Sequence, residues 1–396
     1  MNSQSFDNTS PATKAVWAGE DNLLLTGATT VPVSFGVAHG YDDVDSWRDV
    51  ALGRAPGYIY ARNTNPTVAA FEQKIRALEN AEDATSFATG MAAISNMLFA
   101  LLKPGDRVVS AKDTYGGTSQ VFLHFLPKWD VEVVLCDTTD EVQIENELSK
   151  GCALLYLETP TNPTLKVQHI ARLAEVAHRV GAIVAVDNTF ATPMNQQPLA
   201  LGADLVLHSA TKFLGGHADA MGGVLCGQRD LVRAVHHYRE ITGASLDPMS
   251  AYLLLRGIKT LHLRIRQQNQ SSLAIARWLE KQPAIAQVNY PGLESHPQHD
   301  IAAEQMQGFG GMLSFALKGG FDEVKRVLPK LKLMHRAANL GSVETVGGPP
   351  ATTSHVECTA EERAAMGIPE GLIRYSVGIE ETEDLIADLK QAIELT

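Results

Sequence analysis

Residues 204–216 read DLVLHSATKFLGG. An apolar run of strand length leads into Ser209 and Thr211, then a lysine, Lys212, and then the paired glycines Gly215-Gly216. A strand that delivers a lysine into a glycine turn implies an open sheet with chemistry at its edge, because ligands of such sheets sit beyond the carboxyl ends of the strands. Four similar runs lie upstream: RVVSA (107–111), VEVVLCD (131–137), ALLYLE (153–158) and AIVAVD (182–187). Helical stretches such as 168–180 separate several of them, so the expected fold class is α/β, with a mostly parallel sheet covered by helices on both faces.

Farther out, residues 66–80 predict a helix with Pro66 in its first turn and Val68, Phe71, Ile75 and Leu78 on one face. After Thr89-Gly90, the segment MAAISNMLFALL predicts a buried helix that Lys103-Pro104-Gly105 stops. Residues 248–281 read as one long helical pattern bridging to a second domain. Beyond it strands are fewer (GMLSFAL, LIRYSVG), with helices near 321–330 and 381–394. Residues 1 to 60 look loop-rich. The expected division is an N-terminal arm (1–60), a large domain (61–255) and a smaller C-terminal α/β domain (256–396), with no internal repeat.

Composition narrows the function classes. The 396 residues are too many for one simple core, and 45% apolar with 20% charged residues is globular composition. A net charge of −12 argues against nucleic acid or an anionic membrane as partner. No apolar run reaches transmembrane length. The first residues, MNSQSFDNTSPATKAVWAGEDN, show no basic region followed by an apolar one, so a secretory signal is not expected. Cys136, Cys152, Cys226 and Cys358 form no CxxC pair, so neither a disulfide framework nor a zinc site is expected, and the location predicted is cytoplasmic.

Three strand ends carry polar residues: Asp187 closes AIVAVD, Lys212 follows DLVLHS, and Asn162 follows ALLYLE in ETPTNP. Each alone reads as a turn residue or helix cap. Together they suit a Schiff-base lysine, whose amine is nucleophilic only if partial burial lowers its pKa. Pyridoxal phosphate needs such a lysine and also a carboxylate against its pyridine nitrogen, a place Asp187 can fill. Its phosphate needs helix-start amides, which Thr89-Gly90-Met91 provide, and Ser209 and Thr211 add hydroxyl donors. His208, His217 and His355 lack metal-ligand spacing and read as structural. Gly222-Gly223 is no dinucleotide fingerprint.

These residues resemble the Cys/Met-metabolism family of pyridoxal-phosphate enzymes, which includes cystathionine γ-synthase, cystathionine γ-lyase, methionine γ-lyase and the O-acylhomoserine sulfhydrylases. The similarity runs in order through YIYARNTNPT (58–67), FATGMAAI (87–94), DTYGGT (113–118), ETPTNP (158–163), VDNTFATP (186–193), HSATKFLGGH (208–217) and LIRYSVGIE (372–380). It implies pyridoxal-phosphate fold type I, aspartate-aminotransferase-like, and a homotetramer whose active sites are shared between subunits. It implies that Lys212 carries the cofactor and shuttles protons, that Asp187 pairs with the pyridine nitrogen, and that Tyr115 stacks on the ring and acts as acid or base at the γ-leaving group. Gly90, Met91, Ser209 and Thr211 would bind the phosphate, with Tyr60 and Arg62 reaching it from a neighbouring subunit. Asn162, Arg374, Asn339 and Ser342 would bind the substrate, Arg374 pairing with its carboxylate.

The subtype signals diverge. Gly117 stands where methionine γ-lyases carry a cysteine, which predicts an open space favouring a bulkier or oxygen-linked γ-substituent over methionine. The long stretch before YIYAR is closer to sulfhydrylases and methionine γ-lyases. Ala-Asn-Leu-Gly (338–341) replaces a usual Ser-Leu-Gly, and Arg239-Glu240 resembles the Lys-Asp pair of methionine γ-lyases. The expected activity is γ-elimination or γ-replacement on a γ-substituted homoserine-like amino acid: an O-acylhomoserine, methionine, cystathionine or an oxygen-linked analogue such as canavanine. The alternatives are a dedicated biosynthetic synthase or sulfhydrylase, a β-lyase, or a non-catalytic descendant of the fold.

Overall fold

The computed structural model describes residues 6, 8–20, 27–356 and 358–394. Its larger sheet contains β1 (Asp83–Phe87), β2 (Arg107–Ala111), β3 (Glu132–Cys136), β4 (Leu154–Glu158), β5 (Ile183–Asp187), β6 (Leu205–Ser209) and β7 (Gly223–Gly227). The spatial order is β1-β7-β6-β5-β4-β2-β3, and β7 alone runs against the rest. All five residues of β4 are buried, as expected of a strand covered on both faces. One face packs Ala93, Met97 and Leu98 of the helix Gly90–Leu101 and Val235 of the helix Arg229–Thr242 over Tyr156, Leu205 and Leu225. The other packs Ile144 and Leu148 of Glu141–Ser149 and Leu173 and Ala177 of Ile170–Arg179 over Leu155, Leu157, Val184 and Val186.

The topology fixes where chemistry can gather. Strands β1, β2, β4, β5 and β6 point the same way, so their carboxyl ends share one edge of the sheet. That edge receives Thr89-Gly90 after β1, Tyr115 after β2, Asn162 after β4, Asp187 at the end of β5 and Lys212 after β6.

A second sheet contains β8 (Ile285–Asn289), β9 (Met312–Leu317), β10 (His335–Arg336), β11 (Val346–Gly348) and β12 (Leu372–Ser376), in the order β10-β11-β12-β9-β8. The chain is thus α/β with a mostly parallel large sheet and a smaller second one. Strands β1, β7, β8, β10 and β11 are additions to the sequence reading. They are short or glycine-flanked: β7 is GVLCG, and β11 is VGG. The pattern over 248–281 is two helices, Pro248–Ile258 and Leu261–Leu279, parted at Lys259-Thr260. The loop-rich first 60 residues contain the helices Pro11–Trp17 and Val44–Ala51.

The helix Leu261–Leu279 belongs to two cores. Leu261 and Ile265 pack with Phe213, Leu214 and Leu254 beside the large sheet, whereas Ile275, Ala276 and Leu279 pack with Leu313, Phe315 and Tyr375 of the small one. Between them Arg264, buried, donates to the main-chain oxygens of Phe213 (2.7 Å), Leu214 (3.2 Å) and Gly257 (2.9 Å). Gly216 accommodates that guanidinium, since a Cβ there would lie 2.2 Å from Arg264 Nη1.

Strand β7 contacts the turn that begins the helix Gly90–Leu101. A Cβ on Gly223 would fall 2.1 Å from Thr89 O and 2.9 Å from Gly90 Cα, both backbone. Gly223→Ala is therefore expected to force the turn off the sheet and to destabilise the protein by about 1–3 kcal/mol. Urea denaturation of the two proteins checks this, and an unchanged midpoint would contradict the tight contact.

Candidate active site

A cavity of about 310 Å³ opens at the shared sheet edge. Its lining includes Gly90, Met91, Tyr115, Asn162, Asp187, Ser209, Thr211, Lys212 and Arg374, nine of the residues singled out in the sequence. Lys212 Nζ donates to Asn339 Oδ1 at 2.9 Å. Burial, with the neighbouring charge of Arg374 adding to it, pushes the Lys212 ammonium down to about 8. An amine in that range is a nucleophile and a proton carrier near neutral pH.

Arg374 sits on β12 and is 4% exposed. Its Nη1 donates to Asn162 Oδ1 (3.2 Å) and its Nη2 to the main-chain oxygen of Asn339 (3.1 Å). Its Nε is buried with no partner, and no carboxylate pairs with the guanidinium among the described residues. Burial lowers Arg374 to about 10. A buried cation in a cavity wall, with no carboxylate partner of its own among the described residues, suits a carboxylate ligand.

Asp187 is buried at the end of β5. Its Oδ1 accepts the Thr189 N–H (3.0 Å), and the Tyr156 hydroxyl lies 3.4 Å from Oδ2. Burial raises its pKa, against the lowering from Thr189 and from His208. No lysine or arginine forms a salt bridge with it among the described residues, so a protonated ring nitrogen would supply the positive partner the carboxylate lacks.

The phosphate end fits as well. Thr89 caps the helix Gly90–Leu101 by accepting the Ala92 N–H (3.0 Å), which leaves the first-turn amides pointing outward. A Cβ on Gly90 would stand 2.8 Å from Ser209 Cβ and 2.9 Å from its Oγ, so only glycine lets the turn meet Ser209 this closely. Thr211 is oriented differently from the simple expectation: its hydroxyl is engaged with Gly222, donating to O (3.3 Å) and accepting from N (3.1 Å). These donors, the buried carboxylate and the depressed lysine match the chemistry of pyridoxal 5'-phosphate.

Other expected residues stand elsewhere. Tyr60 and Arg62 are outside the cavity lining of their own chain. Arg62 lies 5.6 Å above the Tyr60 ring and donates to Glu240 O (2.7 Å). Arg239, buried, fixes that region by donating to Asn63 O (2.5 Å), Ser86 O and Glu72 Oε1. Ser342 is buried with its hydroxyl given to Glu344 O (2.7 Å) and does not line the cavity. The space expected at Gly117 is already filled: a Cβ there would meet Met91 Sδ at 2.8 Å and Tyr115 Cε1 at 2.9 Å. That corrects the premise that glycine opens room for a larger γ-substituent.

Residues not assigned from the sequence also line the cavity, among them Glu158, Thr189, His208, Thr353 and Ser354. His208, read from the sequence as structural, is buried against Glu79 (2.6 Å) at the cavity wall. Glu158 lay inside the quoted ETPTNP stretch, and its strand-end position was the available signal.

A family model for Cys/Met metabolism PLP-dependent enzymes matches residues 12–394. The L-methionine gamma-lyase of Fusobacterium nucleatum subsp. polymorphum is 42% identical over 386 residues, covering 96% of this chain and 97% of that one. The O-succinylhomoserine sulfhydrylase of Pseudomonas aeruginosa is 42% identical over 341 residues, covering 86% and 85%. The crystal structure of cystathionine gamma synthase from Xanthomonas oryzae pv. oryzae, in complex with aminoacrylate and cysteine, superposes with a TM-score of 0.92 at 37% identity, covering 97% and 98%. The chain belongs to the Cys/Met metabolism family of PLP-dependent enzymes.

The sign of the Lys212 shift gives a pH prediction. With the folded value near 8 and an ordinary lysine value of 10.5, the unfolded chain binds the extra proton between them. Lys212 therefore contributes more stability as pH rises through that window, and in the folded protein its amine is mostly neutral above about 8. The rate at which apoprotein captures pyridoxal phosphate, followed by absorbance, is expected to fall about tenfold per pH unit below 8 and to level off above it. A flat profile from pH 6 to 9 would contradict the assignment.

Proposed function

We propose that this member of the family catalyses γ-elimination or γ-replacement on an L-amino acid with a leaving group at Cγ, a homoserine-like substrate such as an O-acylhomoserine, methionine, cystathionine or an oxygen-linked analogue such as canavanine. The observation carrying this reading is the convergence of Lys212, Asp187 and Arg374 on one cavity. Its relatives include a lyase, a sulfhydrylase and a synthase, which supports both outcomes.

Bound at Lys212, pyridoxal phosphate supplies an electron sink for negative charge developing at the substrate Cα. Gly90 and Met91 would hold the phosphate through main-chain amides, and Ser209 would add a hydroxyl, with Thr211 beside it. Asp187 would favour a proton on the pyridine nitrogen, which maintains the sink. Arg374 takes the substrate carboxylate, oriented by Asn162 and by Asn339. That leaves Lys212, depressed toward neutrality, to remove the Cα proton and to return protons along the carbon chain. The Tyr115 phenol, half-exposed at the cavity, is the group to protonate the heteroatom leaving Cγ. Release after hydrolysis gives 2-oxobutanoate and ammonia. Attack by a thiol or other nucleophile at Cγ instead gives replacement. A dedicated synthase or sulfhydrylase would use the same residues and differ in which nucleophile reaches Cγ.

The reading extends to assembly and location. Tyr60 and Arg62 stand off their own cavity in a segment that also exposes Phe35, Val37 and Trp47. This supports a homotetramer of dimers in which these two residues complete the neighbouring subunit's phosphate site. Among the described residues no helix is long and apolar enough to cross a membrane. The acidic charge and four cysteines with no CxxC pair support a cytoplasmic protein acting on a small molecule.

Product analysis decides the reaction. Incubation with γ-substituted amino acids is expected to give 2-oxobutanoate alone, or to give a new thioether when a thiol is added. Pyruvate as the keto product would mark a β-lyase and overturn the γ-reading. Shared sites are tested by mixing: Arg62→Ala and Lys212→Ala proteins, each inactive or nearly so, are expected to regain up to about a quarter of wild-type activity when subunits exchange, since one intact site forms in each mixed dimer and half of the dimers are mixed. Full activity of a monomer on a sizing column would contradict the assembly.

A further inference from the structure

Glu158 takes no proton in the scheme above, yet it is buried in the wall of the cavity. It closes β4 as the register partner of Asp187 on β5, so the two acids end neighbouring strands on the same edge. Its Oε2 accepts the main-chain N–H of Tyr115 at 2.7 Å, and the carboxylate also accepts the main-chain N–H of Asn162. One side chain thus ties the loop after β2 to the loop after β4, at the end of β5.

The arrangement is electrostatically expensive. Burial, then the adjacent Asp187, pushes Glu158 well above the usual carboxylate range. A neutral residue would avoid that cost. A carboxylate can accept N–H groups at both oxygens, whereas glutamine has one acceptor oxygen and its amide would turn a donor toward any N–H that meets the second. Tyr115 has few other restraints. It is 45% exposed, no side-chain cap holds the short helix Gly116–Gln120 that it precedes, and Gly116 and Gly117 follow it. The N–H anchor to Glu158 therefore sets where the Tyr115 ring begins.

We propose that Glu158 is a positioning residue, which holds the main chain of Tyr115 and Asn162 so that the Tyr115 phenol meets the γ-leaving group. This rests on the reading that Tyr115 protonates that group. Glu158 does not touch the reacting atoms, so its loss acts on the γ-step and spares the Cα step, which belongs to Lys212.

The test is a double-mutant cycle in the holoenzyme with Glu158→Gln and Tyr115→Phe, following substrate Cα-proton exchange in deuterated water by NMR and release of 2-oxobutanoate in parallel. Visible circular dichroism of the bound cofactor and the thermal midpoint accompany both. Glu158→Gln is expected to keep the cofactor, to exchange Cα protons within about threefold of wild type, and to eliminate about ten- to a hundredfold more slowly, with an altered cofactor dichroism. In the Tyr115→Phe background the same substitution should slow elimination by no more than about twofold. Additive losses, or exchange and elimination falling together, overturn the proposal. A Tyr115→Phe enzyme with undiminished elimination removes the reading beneath it, a result distinct from an additive cycle built on a slow Tyr115→Phe enzyme. If Glu158→Gln does not accumulate folded, Glu158→Asp, which keeps the carboxyl group but not its reach, is carried through the same cycle with the same expectations.

Discussion

Arg374 is a buried guanidinium that no carboxylate neutralises among the described residues, and much of the site follows from that. A charge removed from water costs several kcal/mol unless hydrogen bonds and a counterion compensate. Here the protein supplies Asn162 from the large sheet and the Asn339 carbonyl from the loop before β11, and leaves Nε unused. The two sheets are thereby joined at the point proposed for the substrate carboxylate. The same charge stands near Lys212 and helps to depress it, so the group proposed to recognise the substrate also readies the lysine.

Negative groups are arranged with equal economy. Asp187 and Glu158 sit at the ends of adjacent strands, both pushed upward by burial, and their hydrogen bonds differ in kind. Asp187 is held by the turn that follows it, through Thr189, which leaves the carboxylate facing the cavity. Glu158 is held by donors from two separate loops and faces the scaffold. Environment divides two similar acids into one proposed to meet the ligand and one proposed to brace the residues around it.

The core of this site was legible because a parallel sheet places polar residues at apolar strand ends. Asp187 and Lys212 could be read without any knowledge of partners. Asn162 was legible as a polar residue just past a strand end, though its role came only with the resemblance, and Arg374 was legible only with the resemblance, since it lies inside a buried strand. Glu158 was missed because a strand-end acid beside a turn looks like a cap, and its role depends on N–H groups from other loops. Ser342 and the Gly117 space were misjudged for a related reason: hydroxyl direction and the reach of a Met91 side chain are set by packing, which no spacing rule encodes. Strands β7 and β11 escaped notice because glycine, a turn signal in isolation, is here the residue that lets backbones meet.

The helix Leu261–Leu279 has a consequence for how the protein comes apart. Because its first turns complete one apolar core and its last turns another, neither sheet can be loosened while the other stays whole. Arg264 extends that dependence to the carbonyls just after Lys212. The two lobes should melt as one cooperative unit, without a half-folded species holding an intact cofactor site. Loosening the core around the smaller sheet would then disturb the turn that carries Lys212, although the two stand in different parts of the chain.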